Sequence, residues 1–201
     1  MSTPEFLRAR RHLSRRDDIL KAVVKAVGPC TLTANDDHFG VLARSIISQQ
    51  ISTKAAASIA ARLIETLGRR KLRPASILDL DDETLRGVGL SANKQKSLRD
   101  LAARCQSKEV PLKDLPGMAD EDVIAALLPV RGIGRWTAEM FLIFSLGRRD
   151  VLPVADYGLR AGVMKTYGLP ELATKAQLEE LGEPWRPFRS IATWYIWRSL
   201  G

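Results

Sequence analysis

Hydrophobic residues recur along most of the chain at intervals of three and four, which is the spacing of one face of an α-helix. Residues 39–47 follow this pattern, and an alanine-rich stretch runs from Ala55 to Leu67, where Gly68 is typical of a helix C-terminus. Further helices are predicted at residues 81–87, 91–104, 119–128, 135–146, 156–167, 174–181 and 187–200. No run of four or more residues alternates convincingly as a β-strand would. The pattern therefore predicts an all-α protein.

Composition narrows the class of protein. The 201 residues are 45% hydrophobic and 27% charged, which is close to the average of globular proteins. No apolar run approaches the roughly 18 residues of a membrane span. The two cysteines, Cys30 and Cys105, have no C-x-x-C partner, and the chain has only two histidines, so no zinc, iron–sulfur or Ser-His-Asp site is predicted. We expect a reducing compartment.

Charge adds a second pattern. The formal net charge is +8, and the first 16 residues carry five arginines against Glu5. Such an excess suits a polyanionic partner such as nucleic acid, although many cytosolic proteins are basic without having one. The arginine-rich start lacks the apolar segment of a secretory signal. We interpret it as an arm that is solvated or faces phosphates.

The most informative segment is Leu127–Ala138, in which one predicted helix ends, two glycines flank an apolar residue, and another helix begins. No strand precedes Gly132 and Gly134 and no third glycine follows at the dinucleotide spacing, which excludes a Rossmann site. A helix–hairpin–helix remains, in which glycines let the backbone approach a ligand and the amides of the second helix suit a DNA phosphate. An ordinary turn between two helices stays open as the alternative.

Several features then follow one another along the chain. After the hairpin come a Gly- and Pro-containing loop at residues 147–155, Asp156 about 20 residues beyond Gly134, and a tryptophan-rich tail at residues 185–197. This order resembles the helix–hairpin–helix–GPD superfamily of DNA glycosylases. The tryptophans of the hairpin and tail are similar to those of its alkylation-repair branch, 3-methyladenine DNA glycosylase II. The resemblance extends from about Phe39 to the C-terminus.

The resemblance implies an architecture of two helical subdomains. We expect residues 40–146 to form a helical barrel subdomain that contains the helix–hairpin–helix at about residues 120–146. Residues 1–39 together with 147–201 are expected to form the second subdomain, which carries the catalytic aspartate. An active cleft is expected between the two, where pockets of helical proteins tend to form.

The resemblance also implies an activity. The expected reaction is hydrolysis of the N-glycosidic bond of alkylated bases, such as 3-methyladenine and 7-methylguanine, after they are flipped out of double-stranded DNA; this step starts base excision repair. Two alternatives stay open. One is a glycosylase of the same superfamily for oxidised, deaminated or mismatched bases, and the other is a non-catalytic module that binds damaged DNA.

Asp156 is the predicted catalytic residue. Breaking the glycosidic bond builds positive charge on the deoxyribose, so a carboxylate beside C1′ stabilises the transition state more than the ground state. The same carboxylate could orient or deprotonate the attacking water. The alternative is that Asp156 only caps the helix that follows it. The two roles are compatible, because capping favours the ionised form of the carboxylate.

Trp136 bears on the type of reaction. In superfamily members that also cut the DNA backbone, a lysine two residues after the second hairpin glycine attacks C1′ and forms a Schiff base. Here Gly134 is followed by Arg135 and Trp136. The resemblance therefore implies a monofunctional enzyme without lyase activity, which uses water as its nucleophile. The iron–sulfur loop of other branches needs four closely spaced cysteines, which this chain lacks.

Aromatic residues are predicted to form the base pocket. Alkylated purines carry positive charge, and indole faces attract such cations. The candidate walls are Trp136, Trp197, Tyr157 and Met140, whereas Trp185 and Trp194 are assigned mainly to packing. Tryptophan at helical spacing is usually a core residue, which is the alternative for the first two as well.

The remaining predicted contacts are with the duplex. Gln50, in the connection between two predicted helices, is our choice for the side chain that fills the space left by the flipped nucleotide, with Gln49 or Ile51 as alternatives and a plain exposed turn as another. Phosphate contacts are predicted for Arg131, Gly132, Ile133, Gly134, Arg135, Thr137, Ser52, Ser91 and Lys94, and more weakly for Lys96, Arg148 and Arg149.

The expected partner is double-stranded DNA that contains alkylated bases, with no membrane and no obligate protein partner. No metal site or required cofactor is predicted, although the hairpin carbonyls could hold a monovalent cation. A monomer in the cytoplasm, associated with the nucleoid if the source is bacterial, is expected.

Overall fold

The computed structural model describes residues 4–68 and 71–201 and is helical, without a β-strand in these ranges. This confirms the predicted all-α class. No helix among the described residues is long and apolar enough to cross a membrane. The helices are α1 (Pro4–Arg16), α2 (Asp18–Val27), α3 (His38–Ser48), α4 (Thr53–Thr66), α5 (Pro74–Leu78), α6 (Asp82–Gly87), α7 (Ala92–Gln106), α8 (Asp120–Leu127), α9 (Arg135–Phe144), α10 (Tyr157–Tyr167), α11 (Lys175–Gly182) and α12 (Arg189–Arg198).

The chain divides into two compact units. The central unit consists of residues 35–146, and the split unit combines the chain up to Ala34 with Gly147–Gly201. The boundary lies five residues before the one expected from the sequence, since residue 35 and not 40 begins the central unit. Hydrogen bonds account for this position, because the Asn35 amide donates to the Phe144 carbonyl (3.0 Å) and the Ser145 hydroxyl donates to the Asn35 carbonyl (2.9 Å).

The arginine-rich start is a helix, and the prediction of an arm was wrong. In α1, Phe6, Ala9 and Leu13 are buried at helical spacing, and this face packs against α2. The arginines occupy the remaining faces, so the charged residues concealed an amphipathic pattern. Residues 1–3 of the expected arm lie outside the described residues. Helices α2 and α5 were also absent from the sequence prediction.

The split unit is organised around α12. Ile191, Tyr195 and Ile196 of this helix are fully buried, and α2 and α10 pack against it. Trp185 and Trp194 are also buried, which confirms their predicted packing role. The two cysteines are free thiols, as expected.

The central unit surrounds the packed faces of α3, α7 and α9. Leu42, Ile46, Leu98, Leu101 and Phe141 are buried there. Several helices begin at the residues the sequence indicated, because Ser52 and Ser91 accept a backbone N–H and cap α4 and α7. The hairpin helices α8 and α9 pack against each other, and α9 also packs against α3.

Candidate functional site

The glycine turn between α8 and α9 has the conformation of a helix–hairpin–helix. Gly132 has a φ of +81°, and a Cβ at this position would lie 3.0 Å from the Ser97 hydroxyl, so only glycine fits without strain. The Ile133 side chain is buried, and its amide donates to the Val130 carbonyl at 3.0 Å. The amide of Ile133 is thus used inside the turn, and its side chain anchors the turn to the core.

Two hydrogen bonds hold the turn against neighbouring segments. The Gln49 side-chain amide donates to the Gly132 carbonyl at 2.7 Å. The Arg131 backbone amide donates to the Asp100 carboxylate on α7, also at 2.7 Å. Hydrogen bonds between chain segments this far apart fix the turn relative to α7 and to the connection between α3 and α4.

The hairpin turn, the start of α7 and the connection between α3 and α4 line a cleft of about 350 Å³. We call it the polar cleft, and it is lined by Gln49, Gln50, Ser91, Asn93, Lys94, Ser97, Arg131 and Gly132. Six of these residues were predicted from the sequence to contact DNA. Gln49 and Gln50, with Ile51, are the candidates for the side chain that enters the base stack, which we call the wedge candidates, and four residues are predicted phosphate ligands, namely Ser91, Lys94, Arg131 and Gly132. The structure therefore brings the wedge candidates, the start of α7 and the hairpin turn together.

The three wedge candidates have different environments in the connection between α3 and α4. Gln49 is partly buried, and its amide is used in the bond to Gly132. Gln50 is exposed and has a φ of +58°, a left-handed conformation that costs a non-glycine residue about 1 kcal/mol. Ile51 is also exposed. Gln50 and Ile51 thus lie at the surface of this connection, whereas Gln49 supports it.

Lys94 and the two serines have local partners. The Lys94 ammonium donates to the Ile47 carbonyl at 2.6 Å, near the C-terminus of α3, and burial lowers its pKa. The Ser52 hydroxyl accepts from the Ala55 amide (3.2 Å), and the Ser91 hydroxyl accepts from the Lys94 amide (3.4 Å). Lys94 joins α7 to α3, and the serines set the starts of α4 and α7.

Arg135 connects the two hairpin helices. Its guanidinium forms a two-bond pair with Glu121 of α8 and a further bond from Nε to Glu139 of α9 (3.2 Å). The hydrogen bond from Arg135 lowers the pKa of Glu121, and the same bond raises the pKa of Arg135. Thr137 is buried in the first turn of α9. The side chain of Arg135 is thus paired and that of Thr137 is buried. If these two predicted ligands contact a phosphate, they do so through their backbone amides at the start of α9.

One face of α9 carries large side chains at the surface. Trp136 is 45% exposed, Met140 is partly exposed, and Phe144 is 37% exposed, and their spacing of four residues places them on one face. The neighbouring residues Thr137, Ala138, Phe141 and Leu142 are buried. Trp136 and Met140 were predicted, whereas Phe144 was missed, although its spacing from them is a signal in the sequence.

Asp156 lies in the split unit as the N-cap of α10. Its Oδ1 accepts the Leu159 amide at 2.6 Å and the Trp197 indole N–H at 2.8 Å. The residue is 8% exposed. The capping role weighed against catalysis is thus present, and the two donors hold one oxygen of the carboxylate in place.

The loop that leads to Asp156 is braced by α12. The Arg189 guanidinium donates to the Asp150 carboxylate (2.8 Å), and the Val151 amide donates to the Ser190 hydroxyl (2.9 Å). Arg149, a weaker phosphate candidate, pairs with Glu5 (3.2 Å). These contacts hold the loop and leave Arg149 committed to α1.

Two aromatic residues accompany the carboxylate. Tyr157 follows it directly and is 72% exposed, and Trp197 of α12 is partly buried. The sequence predicted both as pocket walls, but it gave no sign that the Trp197 N–H binds Asp156, because 41 residues separate them. Gly158, which lies against the side chains of Asp156 and Trp197, was also missed.

The predicted residues therefore form two groups. In the central unit, the hairpin, the polar cleft and the Trp136 face share α9 and its surroundings. In the split unit, Asp156, Tyr157 and Trp197 lie together. Among residues 4–68 and 71–201, no cluster of three His, Cys, Asp or Glu side chains is suited to a metal ion.

Comparison with known proteins identifies the family of the chain. A sequence model of the HhH-GPD superfamily of base excision DNA repair proteins matches residues 43–187. The chain is 34% identical to the alkylbase DNA glycosidase-like protein mag2 of Schizosaccharomyces pombe, over 96% of this chain and 93% of that protein. It is 36% identical to DNA-3-methyladenine glycosylase 1 of the same organism, over 96% and 86%.

A solved structure shows the same fold. The 3-methyladenine DNA glycosylase Mag1 of Schizosaccharomyces pombe, in complex with abasic DNA, matches with a TM-score of 0.85 and 36% identity, over 96% of each chain. The likeness therefore covers both units as well as the hairpin.

Proposed function

The chain belongs to the HhH-GPD superfamily of base excision DNA repair proteins, and from this premise we propose that it is a DNA glycosylase for alkylated bases. It hydrolyses the bond between an alkylated base and deoxyribose in duplex DNA. Relatives named as 3-methyladenine DNA glycosylases, similar over nearly the whole chain, support this substrate class. The net charge of +8 fits a polyanionic partner.

The observation that carries the proposal is the arrangement at Asp156. As the base leaves, the sugar acquires positive charge, and a carboxylate held in place by two donors stabilises this charge without having to reorganise. The Leu159 and Trp197 N–H groups supply that hold on Oδ1. Asp156 also orients a water molecule for attack at C1′.

The proposed reaction ends with an intact abasic strand. Residue 136, at the position of the Schiff-base lysine of strand-cutting superfamily members, is a tryptophan. Its indole cannot act as an amine nucleophile, so water takes this role. No cofactor is needed for such a hydrolysis. A monovalent cation at the hairpin stays a prediction, and the Gly132 carbonyl that would contact it also accepts the Gln49 amide.

Aromatic surfaces select the base. Trp136, with Met140 and Phe144 on the same face of α9, offers an electron-rich surface to a cationic purine. In the split unit, the aromatic residues Tyr157 and Trp197 lie beside the carboxylate. A methylated purine has a weakened glycosidic bond, so an open aromatic surface is sufficient to give broad specificity for alkylated bases.

Contacts with the duplex come from the central unit. The backbone amides at the start of α9 bind a phosphate, because the positive end of the helix dipole lies there and Gly134 provides no side-chain cap. Gln50 or Ile51 enters the base stack from the neighbouring connection. The polar cleft, whose lining includes Ser91 and Asn93, faces the DNA backbone near the base that is flipped.

Base release from defined substrates tests the proposal. The purified protein is incubated with duplexes that carry 3-methyladenine, 7-methylguanine, 8-oxoguanine, uracil or hypoxanthine, and the free bases are measured by chromatography. We expect release of the methylated purines and no nicks before alkali or heat treatment. Release of oxidised or deaminated bases alone would contradict the substrate class. Tight lesion binding without release of any base would identify a non-catalytic damage-binding module instead.

A further inference from the structure

The two donors on Asp156 have different origins. The Leu159 amide belongs to the first turn of α10 and is the ordinary partner of an N-cap side chain. The Trp197 indole comes from α12 and is not needed to start the helix. With a second donor from another helix, the carboxylate rotates less freely than it would with the capping bond alone.

A glycine leaves the space for this contact. A Cβ on Gly158 would lie 3.2 Å from Asp156 Oδ1 and 3.3 Å from Trp197 Cδ1 and Nε1. These distances are tighter than nine in ten contacts of real Cβ atoms, so with a larger residue the carboxylate or the indole would have to move by a few tenths of an ångström. Glycine early in a helix is also costly, by up to about 1 kcal/mol relative to alanine. The backbone of Gly158 lies outside the left-handed region, so its conformation does not require glycine.

The next turn of α10 repeats the feature. A Cβ on Gly162 would collide with the Ile196 side chain and lie 3.2 Å from the Ile196 carbonyl. Gly158 and Gly162 are one turn apart, so they form a glycine seam along which α12 approaches α10 closely. Ile196 and Trp197 are adjacent on α12. The seam therefore determines how near the indole N–H comes to Asp156.

We propose that Trp197 is a positioning residue for Asp156, and that the glycine seam of Gly158 and Gly162 sets this position. The proposal rests on the proposed function, since it assigns the indole N–H a part in base release. As a pocket wall, Trp197 acts through its ring face. As a positioning residue, it acts through one N–H that orients the carboxylate.

Replacing Trp197 by phenylalanine separates these two roles. Trp197→Phe keeps an aromatic face and removes the N–H. We expect single-turnover release of 7-methylguanine to slow about 10- to 100-fold, the range for losing a hydrogen bond to a charged group. The loss should lie in the single-turnover rate at saturating enzyme and not in the affinity for the substrate, because the N–H acts on the carboxylate. Affinity for a duplex with a tetrahydrofuran abasic site should stay unchanged.

The matched control lies on the same helix. Trp194 is a buried tryptophan three residues before Trp197, with its ring against Tyr195. Trp194→Phe should change neither the single-turnover rate nor the affinity for the abasic duplex. If Trp197→Phe behaves in the same way, the positioning role is overturned while the glycosylase proposal stands. If Trp197→Phe weakens substrate binding but leaves the single-turnover rate at saturating enzyme unchanged, Trp197 is only a wall of the pocket and the inference fails.

A second variant tests the seam. Gly158→Ala should slow base release about tenfold or more, because the added Cβ displaces the carboxylate or the indole, while a cooperative melting transition shows that the variant is folded. Gly117→Ala is the control, because a Cβ there meets no atom within 4 Å. A Gly158→Ala protein with full activity would overturn the role of the seam. Absence of base release by the unaltered protein, in contrast, would overturn the proposed function itself.

Discussion

Two aspartates of the split unit have similar hydrogen-bond partners but different roles. Asp17 caps α2 and Asp156 caps α10, and each also accepts an indole N–H from a distant tryptophan. At Asp17 the donors are divided, with the Leu20 amide on Oδ1 and the Trp185 indole on Oδ2. At Asp156 both of the corresponding donors meet on Oδ1.

Their surroundings differ as well. The Tyr167 hydroxyl also donates to Asp17 Oδ2, and the Trp185 ring beside it is fully buried. Asp156 is followed by the exposed Tyr157 and contacts a partly exposed Trp197. An aspartate whose two oxygens are both bound to buried donors joins helices. Asp156, which lies beside the exposed Tyr157 and the partly exposed Trp197, is in a setting suited to chemistry on a bound base.

The largest expected effect is at Asp156. Asp156→Asn keeps a good N-cap residue but removes the negative charge. We expect the rate of 7-methylguanine release to fall about 10²- to 10³-fold, as for the loss of one electrostatic stabiliser of a transition state. The free energy of unfolding, measured with urea, should change little. A variant with normal base release would show that another group stabilises the sugar.

The same substitution at Asp17 should have the opposite profile. In Asp17→Asn, an amide NH₂ faces groups that are themselves donors, the Trp185 N–H and the Tyr167 hydroxyl. Leaving such a buried donor unsatisfied should lower the free energy of unfolding by about 2 kcal/mol. Activity per folded molecule should persist at a temperature where the variant is folded. Loss of activity without loss of stability would break the distinction between the two aspartates.

Tyr167→Phe tests the bond between Tyr167 and Asp17 through the pH dependence of the free energy of unfolding. Burial, followed by the bond to Asp17, raises the pKa of Tyr167 above its ordinary value. A group with a raised folded pKa contributes stability that is complete below about pH 10, its ordinary value, and is lost as the pH rises beyond it. The unaltered protein should therefore lose stability above pH 10 more steeply than Tyr167→Phe, which itself should lose about 1 kcal/mol at neutral pH. Parallel urea midpoints between pH 8 and about 11 in both proteins would contradict this role.

The smallest effect is expected at an exposed carboxylate. The bond from Arg135 lowers the pKa of Glu121, so its contribution is present above the ordinary carboxyl pKa and is lost as the pH falls through the lowered value. Because the pair is largely solvent-exposed, Glu121→Gln should cost at most about 1 kcal/mol, and less at high salt. Urea unfolding at two salt concentrations measures this. A larger, salt-independent loss would show that the pair is a core feature of the hairpin.

The sequence was most informative where the backbone itself demands a residue type. Gly132 marks a turn with positive φ, and Ser52 and Ser91 mark helix starts, so the hairpin and several helices were predicted from local chemistry. Helix α1 was missed because its arginines outnumber the three buried residues that define its inner face. Both outcomes depend on contacts within a few residues.

Contacts between distant segments were beyond the reach of such reasoning. Asp156 was found as a cap and as the family aspartate, but its bond to Trp197 depends on how α12 packs on the glycine seam. In the same way, the inward bond of Lys94 to Ile47 and the pairing of Arg135 with Glu121 depend on helix packing. A lysine or arginine in the sequence shows charge but not whether a partner already holds it.

The central claim is that Asp156 faces a sugar that becomes cationic, and its most direct test is binding of a charged mimic. Duplexes with a cationic pyrrolidine abasic site and with a neutral tetrahydrofuran site are compared by equilibrium binding to the unaltered protein, Asp17→Asn and Asp156→Asn. We expect the unaltered protein and Asp17→Asn to prefer the cationic site by at least about tenfold, and Asp156→Asn to lose this preference. Retention of the preference by Asp156→Asn, or its absence in the unaltered protein, would contradict the claim.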